Sequence, residues 1–237
     1  MKTVLDSDHD YKCYARVNGS MARPQETAKA DQADLLWTPS ESRLTQSRLQ
    51  DFMGYLETQG QGSYDDYGAL HQFSVAQREN FWSALWDYTD IVAEQKGAVV
   101  AENSDTFPCQ PDAGVRWFPE ARLNFAENLL RYRDDRPALI SRLENGQRRV
   151  VTYEQLHTHV AGLAASLRAL GVGPGDRVAG FMPNVIETVE AMLATTSLGA
   201  IWSSCSPDFG INGVLDRFGQ IQPKVLFAAD GYFYNGK

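Results

Sequence analysis

Residues 152–182, TYEQLHTHVAGLAASLRALGVGPGDRVAGFM, read as a helix running into a buried strand, and they decide the architecture of everything after them. Thr152-Tyr153-Glu154-Gln155 has the form of a capping box, in which a threonine hydroxyl and a glutamine amide satisfy each other's free backbone N–H groups. Leu156, Val160, Leu163, Leu167 and Leu170 then recur at steps of four and three, the spacing of one helix face. Gly171 stands where a left-handed residue closes a helix, and Gly173-Pro174-Gly175-Asp176 turns the chain into a strand from Arg177 to Met182.

The same unit repeats downstream. Pro183-Asn184 leads into a helix carrying Val185, Ile186, Val189, Met192 and Leu193, and Gly199 admits a strand from Ala200 to Ser204. A short helix with Ile211, Val214, Leu215 and Phe218 follows, then a break at Pro223 and a strand from Val225 to Ala228. Strand, helix, strand, helix, strand with short connections implies a parallel sheet covered by helices. Upstream, Pro137–Ser141 and Val150-Val151 flank Asn145-Gly146, which predicts a two-stranded antiparallel ribbon.

Residues 38–135 read differently, as a mostly helical, aromatic-rich layer. Thr38-Pro39-Ser40-Glu41 resembles a helix entrance with a Thr cap, and Leu49, Phe52, Met53 and Leu56 follow at helical spacing. Ser74-Val75-Ala76-Gln77 repeats the device ahead of Phe81, Trp82, Leu85, Tyr88 and Val92. Residues 1–37 are polar and aperiodic and are expected to form a flexible leader, with Met21 able to serve as a start of its own.

Composition narrows the function classes. Lys and Arg number 22 against 30 Asp and Glu, a net charge of −8, which disfavours a nucleic-acid partner. Cys13, Cys109 and Cys205 are widely spaced with no CxxC pair, so neither a disulfide framework nor a zinc site is indicated. The first 20 residues have no apolar h-region, and no run of about 18 uncharged apolar residues occurs, so a membrane span is not expected. A cytoplasmic location follows as the expectation.

Motifs with chemical content are few. Gly171-Val172-Gly173-Pro174-Gly175 follows a helix and precedes a strand, the reverse of the order that aims helix-terminal amides at a pyrophosphate. No GxxxxGK[ST] loop is present, and His157 and His159, two apart on a helix, point in different directions. Cys205, in Ser203-Ser204-Cys205-Ser206-Pro207, lies at the carboxyl end of a strand but lacks a partner base, so it reads as a small buried or loop cysteine. Its position still marks Ser203–Gly210 as the ligand-facing loop. No catalytic residue and no metal ligand is assigned.

Several segments together resemble a known family. Trp117–Leu130, WFPEARLNFAENLL, is similar to the segment that leads into the large domain of acetyl-CoA and acetoacetyl-CoA synthetases. Thr152–Leu156, the Gly173–Val178 turn and Ala191-Met192-Leu193 before Gly199-Ala200 resemble the first α/β portion of the adenylate-forming superfamily. Gly199–Gly210, GAIWSSCSPDFG, with Asp216-Arg217-Phe218 and Asp230–Lys237, looks like the acetoacetyl-CoA synthetases. Their acetyl-specific relatives carry His where Trp202 stands and a Gly-Gly loop near Ser206–Asp208. Glu120 and Phe125 depart from the glycine and tyrosine expected.

The resemblance implies an α/β fold in which a helical extension (residues 38–135) precedes the first, incomplete part of the AMP-dependent synthetase domain (136–237). It implies an acetoacetate–CoA ligase for the full-length protein: acetoacetate attacks ATP to give an acyl adenylate and diphosphate, and CoA displaces AMP. Acetoacetate, ATP and CoA are the implied small-molecule partners, with Mg²⁺, and lipid metabolism and ketone-body utilisation the implied setting. The family's phosphate loop and catalytic lysine do not occur in these 237 residues. The chain alone is therefore expected to be inactive and to hold no cofactor tightly. In acetyl-CoA synthetases the segment matching Tyr234–Lys237 carries two arginines that hold the CoA phosphate. Lys237 keeps one positive charge and Tyr234 does not keep the other, which marks both as candidate CoA-binding positions. A noncatalytic module derived from a synthetase, and a synthetase for another short acid, are the alternatives.

Overall fold

Local capping and apolar spacing account for most of the elements in the computed structural model, which describes residues 37–103 and 114–236. The leader lies almost wholly outside these residues, as does Lys237. The chain divides into two compact units. One comprises the described residues up to Thr89 with Ala98–Pro119, and the other Asp90–Gly97 with the residues from Glu120 onward.

The first unit holds helices α1 (Glu41–Thr45), α2 (Arg48–Thr58), α3 (Tyr67–Ala76) and α4 (Arg78–Tyr88), and a short antiparallel pair, β1 (Ala101–Glu102) with β2 (Arg116–Trp117). Phe52, Met53, Leu56, Leu70, Phe73 and Ala84 form its core. Edge-on and tilted rings fill it, with Phe52 at 5.8 Å from Phe81 and 5.0 Å from Tyr88 between centroids.

The entrance predicted at Thr38 is displaced. Ser40 caps α1 by accepting from Arg43 N–H, and Ser47 opens α2 by accepting from Gln50 N–H, so one expected helix is two. Ser74–Gln77 is not an entrance. Three of those residues end α3, which Asp66 caps by accepting from Ala69 N–H, and Gln77 begins α4 with no side-chain cap. Val92 lies beyond α4, and Leu49 is exposed.

The second unit contains α5 (Phe125–Leu129), β3 (Pro137–Arg142), β4 (Arg148–Thr152), α6 (Tyr153–Ala169), β5 (Arg177–Phe181), α7 (Ile186–Ser197), β6 (Ile201–Cys205), α8 (Ile211–Ile221) and β7 (Val225–Ala228). The expected ribbon is present, with β3 antiparallel to β4. Its turn is tightened by Asn145 Oδ1 accepting from Gln147 N–H and by Gly146 at φ +81°. The capping box of α6 is complete in both directions. At its other end Gly171 N–H donates to Arg168 C=O and Val172 N–H to Leu167 C=O, the paired bonds of a Schellman motif. Buried Val172 and Leu167 supply the apolar contact that accompanies such an ending.

The parallel sheet has the order β6-β5-β7. The chain steps from β5 to its neighbour β6, then crosses β5 to reach β7. Right-handed crossovers in opposite directions place the connecting helices on opposite faces. Core membership agrees: Val178 joins α6 and α7, while Ala179 and Cys205 join α8 through Phe218. Trp202 on β6 reaches toward Phe227 on β7, with ring centroids 6.2 Å apart, and passes over Gly180 of β5.

The face that carries α8 keeps apolar surface in the open: Ile211 is 78% exposed, Leu215 65% and Leu226 52%. On α8 the exposed Ile211 and Leu215 adjoin Val214, Phe218 and Ile221, which are packed against the sheet, so one apolar face is only partly covered.

Asp176 fastens three segments. It accepts from Gly173 N–H at 2.9 Å and from Lys224 Nζ at 2.9 Å, and the same ammonium donates to Gly171 C=O at 2.6 Å. The Lys224 hydrogen bond, then the Gly173 amide, hold the Asp176 carboxyl below the usual carboxylate range. A carboxylate whose folded-state pKa is depressed stabilises the fold above its unfolded value, and that contribution is lost as pH falls through the folded one. Asp176→Asn is therefore expected to lower thermal stability above about pH 4 and to flatten its acid limb below that pH. Equal acid sensitivity in the variant and parent, read by melting temperature against pH, would refute this.

Candidate functional site at the carboxyl end of the sheet

In open α/β sheets, neighbouring parallel strands whose following helices lie on opposite faces leave a crevice at their carboxyl ends. β5 and β6 form such a pair, because α7 and α8 cover opposite faces. The loops after β5, β6 and β7 and the tip of the β3–β4 ribbon gather at this end. A groove of about 580 Å³ lies there, with Arg142 and Glu144 of the ribbon and Asn184, Asp230, Tyr232 and Phe233 among its walls.

Hydrogen bonds tie the loops together. Tyr232 Oη–H donates to Asp208 Oδ1 at 2.8 Å, and Ser206 Oγ–H donates to Asp208 Oδ2 at 2.9 Å. Since β6 and β7 flank β5 without touching, this Asp208–Tyr232 bond spans the end of the central strand. The Asp208 carboxylate, as acceptor and neighbouring charge, raises the Tyr232 phenol above its ordinary value. Gly236 N–H donates to Glu144 Oε2 at 3.2 Å, which fastens the segment after β7 to the ribbon.

The expected ligand-facing loop, Ser203–Gly210, thus contributes Ser206 and Asp208 to this end. Tyr234 is 60% exposed, with its ring 6.2 Å from that of Tyr232. Lys237, the other candidate, lies outside the described residues, immediately after Gly236. Cys205 is buried against Ala179 and Phe218, which fits a core role. The Asp208–Tyr232 bond carries no signal in the sequence. Its partners are 24 positions apart in sequence, and no periodicity links them.

Among the described residues no group of three His, Cys, Asp or Glu side chains is placed to hold a metal ion, and no helix is long and apolar enough to cross a membrane. For a phosphorylated ligand the chemistry is mixed. Glu144, Asp208 and Asp230 are anionic, and Asp208 and Glu144 are already engaged as acceptors. Arg142 is the cation on the groove wall. The aromatic faces of Tyr232 and Phe233 suit a flat ring, so a phosphorylated nucleoside fits if the arginine meets the phosphate.

Comparison with known proteins agrees with this layout. Residues 125–235 match the family model of AMP-binding enzymes, and residues 67–129 match that of the acetyl-coenzyme A synthetase N-terminus. An acetoacetyl-coenzyme A synthetase of Rhizobium meliloti is 46% identical over 202 residues, 85% of this chain and 30% of the relative. Its counterpart in Gallus gallus is 41% identical over 208 residues, 87% of this chain and 30% of the relative. The solved acetoacetyl-CoA synthetase of Streptomyces lividans superposes with a TM-score of 0.77 at 44% identity, over 85% of this chain and 31% of that one. This chain therefore spans about a third of the length of these relatives, and its three-stranded sheet corresponds to part of an adenylate-forming domain. The two family models together match residues 67–235, and over these residues the chain is similar to the acyl-CoA synthetases of the AMP-binding enzyme family.

Proposed function

We propose that this chain is the amino-terminal part of an acetoacetate–CoA ligase, which converts acetoacetate, ATP and CoA into acetoacetyl-CoA, AMP and diphosphate. The observation that carries this reading is the 41–46% identity to acetoacetyl-CoA synthetases over at least 85% of the chain. In this reading residues 38–135 are the helical extension and 136–237 the start of the synthetase domain. Tyr234 and Lys237 face the CoA phosphate, Mg²⁺ accompanies ATP elsewhere in the whole protein, and the enzyme works in the cytoplasm. The net charge of −8 supports small-molecule rather than nucleic-acid partners.

Activation of a carboxylate by ATP requires donors and a cation to offset charge building on the α-phosphate. The 237 residues hold no phosphate loop that could supply them. The complete protein is expected to form acetoacetyl-CoA, while residues 1–237 alone catalyse no acetoacetate-dependent ATP–pyrophosphate exchange. Exchange by the isolated chain would refute the second statement. Failure of the complete protein to use acetoacetate would refute the first. In the complete protein, Lys237→Ala is expected to raise the KM for CoA, and an unchanged value would remove Lys237 from the CoA site.

A second reading has its own support. A malonamoyl-CoA synthetase of Penicillium aethiopicum is 39% identical over 211 residues, 86% of this chain and 28% of the relative. A short acid with an amide in place of the ketone is thus the competing substrate. The ratio of kcat/KM for acetoacetate and malonamate decides between them. A native mass near the 26.4 kDa of this chain would instead favour a noncatalytic module.

A further inference from the structure

The β3–β4 ribbon sets Arg142 directly opposite Arg148. Residues so opposed in an antiparallel pair project from one face with Cβ atoms about 5 Å apart, and like charges there destabilise the pair. Both arginines are exposed, and neither side chain has a hydrogen bond or ion pair among the described residues. Their neighbour Arg149 shows the contrast, since it pairs with Glu187 at 2.6 Å. Glu144, two residues beyond Arg142, accepts from Gly236 N–H instead. Arg142 also lines the groove to which Tyr232 and Phe233 contribute.

Two unneutralised guanidinium groups held side by side are a mismatch that an anion relieves. Their forked N–H donors match the oxygens of a phosphate. We propose that Arg142 and Arg148 form a phosphate-binding pair at the ribbon tip, and that the phosphate they take is the 3′-phosphate of CoA. The assignment rests on the ligase reading above and adds to it a source for the positive charge that Tyr234 lacks. Glu144 and Asp230 share the groove. Without Arg142 the charged residues lining the groove are Glu144 and Asp230, both anionic, so the loss on removing the arginines is selective for phosphorylated ligands.

The test uses the complete protein with Arg142→Gln, Arg148→Gln and the double variant, assayed with CoA and with 3′-dephospho-CoA. Each single change is expected to raise the KM for CoA about fivefold and the double change about twentyfold, in line with exposed charge-assisted hydrogen bonds. The KM for dephospho-CoA, ATP and the carboxylate, and the pyrophosphate exchange rate, are expected to stay as in the parent. Melting temperatures should be equal or higher, because the like-charge pair is relieved. Equal losses with both forms of CoA, or no loss with either, overturn the arginine assignment and leave the ligase reading standing. Absence of acyl-CoA formation by the parent overturns the ligase reading. A calorimetric titration with adenosine 3′,5′-bisphosphate then decides the pair alone: binding lost in the double variant supports it, and binding unchanged in the double variant, or undetectable in the parent, overturns it.

Discussion

Gly180→Val is expected to destabilise the second unit by about 3 kcal/mol, the cost of overpacking a filled core. Gly180 sits in β5, the central strand, between Ser204 of β6 and Phe227 of β7. A Cβ added there would lie 2.5 Å from Cζ2 and 2.6 Å from Cη2 of Trp202. Real contacts of that kind begin near 3.5 Å, so the indole or the strand has to move. The indole has little room to do so, because it packs against the main core and against Phe227. The glycine is thus required by the space above it, not by its backbone angles, which are those of a strand. Chemical denaturation of parent and variant gives the difference directly. A loss below about 1 kcal/mol would show that Trp202 swings aside and that the close approach is not a constraint.

The sequence showed the second unit more fully than the first, for physical reasons visible at single residues. The start of α6 at Thr152 and its end at Gly171 each use local bonds, within four or five residues, so the chemistry of both ends is written next to the helix they bound. The parallel strands follow from turn residues at Gly173–Asp176, Gly199 and Pro223. In the first unit Ser-x-x-Gln at 74–77 carries the same letters as a capping box. The helix already begun at Asp66 runs through it, because a serine in a helix can return its hydroxyl to the preceding turn, as Ser74 does to His71 C=O. Pattern alone cannot choose between these uses of one residue.

For the site, position was legible and partnership was not. The Ser203–Gly210 loop follows from the rule that ligands gather at strand carboxyl ends. Asp208 meeting Tyr232, and Arg142 facing Arg148, depend on strand order and ribbon register. The second was not legible from the turn dipeptide: a two-residue Asn145-Gly146 loop would set Arg142 opposite Arg149, whereas Leu143 N–H donating to Gln147 C=O closes a three-residue loop that brings Arg148 opposite instead.

Trp202→Ala is expected to cost about 3 kcal/mol, toward the lower end for removing a large aromatic because the side chain is only partly buried. The indole bridges all three strands, from β6 across Gly180 of β5 to Phe227 of β7, so its loss opens a void along the core face of the sheet. The two positions are one device: a glycine gives up its side chain so that a tryptophan from the next strand can lie over it. This predicts strong coupling. In the Trp202→Ala background, Gly180→Ala places a methyl in the space the indole has left, and its cost should fall by at least about 1 kcal/mol relative to the parent. Additive effects in that cycle would show that glycine is needed there for another reason. A histidine ring is smaller than an indole and reaches less far. Trp202→His should accordingly lose less than Trp202→Ala and still leave part of the span toward Phe227 unfilled. Trp202 is in this chain a packing residue of the sheet, 6.2 Å from Phe227 between ring centroids and lying over Gly180.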